Sequence, residues 1–156
     1  MSKIKVFISK FLGAITFLWF AHCLGDYALQ TKSVALFKSK SILICFIHAS
    51  IWTGIMLIGF GLITRLGLFW HTTQSIEFDK LKWQAFLIIG YILLVSHVII
   101  DYGKIYTCFF PGLPKDLSRF NPFTQQLLLV DQSLHVLSII VCYFLLGIMQ
   151  REKNKN

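Results

Sequence analysis

The chain has 156 residues, 56% of them hydrophobic and only 14% charged, with a formal net charge of +8 and a mean hydropathy of +0.68. Soluble domains carry about a quarter charged residues, so this composition excludes that class and points to an integral membrane protein. The basic residues sit in short loops and tails beside apolar runs, which suits anionic lipid headgroups and topology control; no nucleic-acid partner is expected, because no basic stretch interleaves with aromatics in a polar fold.

Four apolar segments near the length of about 20 residues that a bilayer requires are expected as helices at 6–30, 42–63, 85–105 and 126–149. They lack period-two alternation and are too long for barrel strands, so the expected fold is an all-α bundle of four transmembrane helices forming one domain over 1–156. The first segment follows Lys3, Lys5 and Lys10 like a signal peptide. His22 stands where a small residue would be needed for cleavage, so the segment reads as a retained helix.

The connection "TKSVALFKSK" (31–40) is short and basic, a helical extension or an interfacial turn. The stretch 64–84 is the longest polar one, flanked by Trp70 and Trp83 where interface aromatics belong. The link 111–123 contains Pro111, Pro114 and Pro122 and is expected as a structured loop. Four crossings put both termini and the middle loop on one side, with nine Lys and Arg residues against six on the other. The excess favours cytoplasmic termini and a multi-pass inner-membrane protein. Cys23, Cys45, Cys108 and Cys142 are scattered without C-x-x-C spacing, as buried small hydrophobes are.

The chemistry lies in the polar residues of the apolar segments. His22/Asp26, His97/Asp101 and Asp131/His135 are three histidine–aspartate pairs, each four residues apart, and His48 is a further histidine in the second segment. On a helix, positions i and i+4 share one face, so each pair can aim an imidazole and a carboxylate at one point. His22 and Asp26 come late in the first segment and His48 early in the second. His97 and Asp101 come late in the third, Asp131 and His135 early in the fourth. All seven groups therefore fall in one polar layer near one membrane face, away from the termini. Intramembrane ionisable groups mark function, and clustered imidazoles and carboxylates call for a cation.

Mixed His/Asp ligation suits Zn²⁺, Mn²⁺ or Fe²⁺, and seven ligands exceed the four of one zinc site, so a binuclear centre fits. An aspartate that orients its neighbouring histidine is the other role open to these carboxylates. Around the layer, Gln30 is one turn beyond Asp26, Gln132 adjoins Asp131, Lys104 follows Asp101 by three residues, and Lys38 and Arg119 lie in the loops on the same side. The cations suit an anionic substrate group or lipid headgroups, and the amides suit hydrogen bonds between helices. His71, in the opposite loop, has no such partner.

The motifs "HCLGDYALQTKSVALFKSK", "HVIIDYGK" and "DQSLH", with His48 between them, resemble the bacterial membrane proteins of domain-of-unknown-function family 3307. The resemblance covers most of the chain and implies the same residue set without implying an activity. A looser likeness is to small inner-membrane proteins assigned as metal-dependent hydrolases, whose H-R-x-x-x-H-S element is missing here.

The expected activity is that of a metal-dependent hydrolase acting on a lipid or lipid-linked phosphoester. Asp26, Asp101, Asp131 and Lys104 would serve the chemistry, with membrane lipids as partners and room for a homo-oligomer. The alternatives are a metal or proton transporter using the same ligands as a transit site, and a non-catalytic membrane scaffold with a structural metal.

Overall fold

The computed structural model describes residues 3–38, 40–69, 83–102 and 122–153. These residues form helices and no strand. Helix α1 spans Lys3–Cys23 and runs directly into a π-helical turn, Leu24–Ala28; α2 spans Lys32–Phe37, α3 Ile42–Arg65, α4 Trp83–Asp101 and α5 Pro122–Lys153.

Local chemistry sets the ends. Thr31 and Ser41 adopt extended backbone and cap α2 and α3, their hydroxyls accepting from the Val34 and Ile44 backbone N–H groups. Beyond α3, Gly67 takes φ 65°. Its N–H donates to the Thr64 carbonyl and that of Leu68 to Ile63, a Schellman motif that needs the left-handed residue glycine tolerates. Pro122 opens α5, where a missing N–H costs nothing.

The described bounds differ from the sequence expectation at two places. The first span ends at Ala28 rather than residue 30, so Gln30 is not one helical turn beyond Asp26. Helix α4 is helical to Asp101 with a turn at Tyr102, the expected bound at 105 lying outside the described residues. Helix α5 already includes Pro122 rather than starting at 126, drawing the last proline of the expected loop into a helix. The basic connection at 31–40 is mostly α2.

Four stretches, Lys3–Ala28, Ile42–Arg65, Trp83–Asp101 and Leu129–Met149, are long and apolar enough to cross a membrane. Helix α3 packs between α1 and α4, and α5 packs on α4 and, more lightly, on α1. The bundle buries a core of Leu18, Trp52, Met56, Phe60, Ile89, Leu93, Ile139, Tyr143 and Leu146. Large apolar side chains such as Phe20, Leu43, Ile58 and Leu87 also point outward, as they must where the surrounding solvent is lipid. At the terminal end, the Tyr143 hydroxyl donates to the Leu68 carbonyl and its ring stacks on Phe69, fastening the turn after α3 to α5.

A histidine–aspartate layer at one end of the bundle

The polar layer forms at the end of the bundle away from the termini, from α1 and its π-turn, α3, α4 and α5. His22, His97 and His135 are fully buried, and Asp26, His48 and Asp101 nearly so. Among the described residues, Asp26, His48, His97 and Asp101 each offer a ligand atom, all within 4.8 Å of one another. This group can hold a metal ion.

The contacts that build it run mostly between helices. His48 Nε2 lies 3.0 Å from Asp26 Oδ1, the shortest imidazole–carboxylate contact among the described residues. His97 Nε2 is 3.2 Å from Asp101 Oδ2 and 3.7 Å from Asp26 Oδ1, and His48 Nε2 is 3.6 Å from Asp101 Oδ2. Two imidazole nitrogens and two carboxylate oxygens thus converge from three segments. Within the first pair, His22 Nε2 and Asp26 Oδ2 are 3.7 Å apart, and Asp26 bonds across to α3 instead. The π-turn accompanies this: the Leu29 N–H donates to the Leu24 carbonyl, five residues back, and single π-turns are a recurrent feature of functional sites.

Trp52 organises the other half of the layer. An indole N–H can only donate, so its bond to His22 Nδ1 at 3.0 Å makes that nitrogen an acceptor and places the ring proton on Nε2. His22 Nε2 then donates to Gln132 Oε1 at 2.8 Å, and Gln132 Nε2 donates to Asp131 Oδ2 at 3.1 Å. Both nitrogens of His22 are engaged, and the ring has no lone pair free for a cation. The Trp52 ring itself stacks on His97, with centroids 4.2 Å apart.

His135 is held differently. Its Nδ1 donates to the Asp131 carbonyl at 2.9 Å, which leaves Nε2 as the acceptor nitrogen. That atom is buried, has no hydrogen-bond partner among the described residues, and lies 3.8 Å from Asp101 Oδ1. Asp101 therefore shows Oδ2 to the four-ligand group and Oδ1 to His135. Asp131 is more open, its side chain 20% exposed.

Lys38, at the end of α2, enters the layer from the loop side. Its Nζ is 2.7 Å from Asp101 Oδ2 and 3.9 Å from Asp26 Oδ1. Burial alone would lower its pKa, but the Asp101 and Asp26 carboxylates outweigh burial and hold the ammonium above the ordinary lysine range. Gln30 is half-buried with an amide nitrogen unpaired among the described residues. Lys104, Arg119 and His71 lie outside the described residues.

Sequence reasoning missed Trp52 and Gly25. A signal for the first existed, since Trp52 follows His48 by one helical turn and a buried indole N–H needs an acceptor. Gly25 had none, because its role is to make room: a Cβ there would sit 2.7 Å from Trp52 Cδ1.

The family described as "Protein of unknown function (DUF3307)" matches residues 14–155, so the chain belongs to it. No curated protein and no solved structure gives a significant match.

Proposed function

We propose that the histidine–aspartate layer of this family member is the centre of a metal-dependent hydrolase that acts on a lipid or lipid-linked phosphoester at the membrane surface. The observation that carries the reading is the convergence of Asp26, His48, His97 and Asp101 within one ligand sphere, beside a His135 nitrogen that has no hydrogen-bond partner among the described residues. Two imidazoles and two carboxylates are a donor set for Zn²⁺, Mn²⁺ or Fe²⁺. Asp101, with one oxygen toward His135, would extend the set toward a second ion. When bound, the ion would contribute Lewis acidity and a lowered pKa of water.

The chain's own residues take the remaining roles. His135 Nε2, left as an acceptor by the Nδ1 bond and without a hydrogen-bond partner among the described residues, suits proton transfer. Asp131 and Gln132 orient His22, which with Trp52 fixes the wall of the site rather than ligating. Lys38 supplies a positive charge that can meet an anionic substrate group. A transit site would need a polar path to the other membrane face, and the bundle there is filled by Leu18, Phe60, Ile89 and Leu146.

The test is hydrolysis of lipid-linked phosphomonoesters and phosphodiesters by the detergent-purified protein. Release of phosphate or headgroup is expected with Zn²⁺ or Mn²⁺ and is expected to disappear with chelator and in His135→Ala. Metal-driven flux across proteoliposomes without any hydrolysis would overturn the reading in favour of transport.

Lys38 gives a separate prediction. Its ammonium contacts the Asp101 oxygen that also faces His97 and His48, so an incoming cation meets a like charge. Lys38→Met is expected to tighten divalent-metal affinity about tenfold, the equivalent of about 1.4 kcal/mol of relieved repulsion. Competition titration with a chromophoric chelator measures it, and weaker binding in the variant would show that Lys38 supports the site instead.

A further inference from the structure

Outside the polar layer, the described residues of α3 and α4 line a groove of about 650 Å³. It runs along α3 from Ser50 to Arg65, a span of about 22 Å at 1.5 Å per residue. Gly54, Gly61 and Gly90 line it with little side-chain bulk. A Cβ added at Gly54 would meet no atom within 4 Å, so the groove is open at that point.

Its two ends differ. The end toward the layer is lined by Ser50 and Leu94, close in sequence to His48 and His97. The opposite end holds Arg65, exposed in the last turn of α3, and Trp83, 76% exposed at the first residue of α4. An arginine beside a tryptophan at the end of two apolar helices has the chemistry of a headgroup site: the guanidinium pairs with phosphate oxygens and the indole occupies the interface.

We infer that this groove binds one acyl chain of an anionic phospholipid, with the phosphate at Arg65 on the membrane face opposite the histidine–aspartate layer. The length of the groove matches an extended acyl chain. A helix from a second copy is a poor occupant, since a cylinder of about 10 Å diameter and the same length takes about 1,700 Å³. The site is separate from the proposed hydrolytic centre and does not depend on it.

The test is lipid retention by the full chain, read by native mass spectrometry after exchange into detergent with phosphatidylglycerol or phosphatidylcholine of identical chains. Wild type is expected to retain one phosphatidylglycerol, at least fivefold above phosphatidylcholine. Arg65→Gln is expected to lose that preference, and Gly54→Leu, which fills open space and strengthens the helix, to lose retention of both lipids with its melting temperature maintained. Chelation is expected to change none of this. Absence of preference in wild type, full retention in Gly54→Leu, loss of lipid on chelation, or a dimer that Gly54→Leu abolishes would each overturn the inference.

Discussion

Asp101→Asn is expected to reduce tightly bound divalent metal in the purified protein from stoichiometric to background. Asp101 places Oδ2 near His97, His48 and Lys38 and Oδ1 near His135, so its loss removes a ligand atom and the contact with His135 together. Loss of a ligand with its charge should exceed the 10- to 100-fold loss typical of a supporting residue, and about 100-fold or more is expected. The same change leaves the Lys38 ammonium short of its nearest counter-ion. Breaking a buried pair from one side costs about 3–5 kcal/mol, so the single variant should also melt earlier. Asp101→Asn combined with Lys38→Met removes both charges and is expected to recover most of the melting temperature while remaining metal-free. Elemental analysis and thermal melting distinguish the two effects. Full metal occupancy in the folded double variant would remove Asp101 from the ligand set.

Gly25→Ala, a change of one methyl group, is expected to be nearly as damaging. The added Cβ would lie 2.7 Å from Trp52 Cδ1 and 3.4 Å from Trp52 Cγ and Ile55 Cδ1. Trp52 cannot yield freely, because its N–H is bonded to His22 and its ring stacks on His97. Overpacking of this kind costs about 1–3 kcal/mol, and displacement of Trp52 should misplace His97 and lower metal retention as well. Gly13→Ala is the control. No atom lies within 4 Å of a Cβ there, and replacing a helical glycine should stabilise by about 0.5–1 kcal/mol. Melting temperature and metal content should fall together in Gly25→Ala and hold in Gly13→Ala. Equal behaviour of the two variants would show that the tight approach at Gly25 is unimportant.

The i,i+4 pairs were legible because helical geometry is local: His97 and Asp101 do meet, as spacing alone requires. The same arithmetic was less informative for His22 and Asp26, whose chain follows a π-turn and whose partners lie on other helices. His22 was legible as a buried polar residue, but its engagement by Trp52 and Gln132 was not, since no sequence rule tells which side chain of another helix faces a given ring nitrogen. Lys38 could be placed on the correct side of the bundle, yet only the path of α2 brings its ammonium onto Asp101.

The sequence by itself determined the all-helical class, the four helices long and apolar enough to span a membrane, and the level at which the polar groups gather. These follow from hydropathy and helical rise, which act along the chain. The tertiary structure decided which four groups share a ligand sphere, where the ring protons sit, and that Gly25 admits Trp52 to the layer. Those outcomes depend on distances of a few ångströms between side chains far apart in sequence, fixed only when the helices pack.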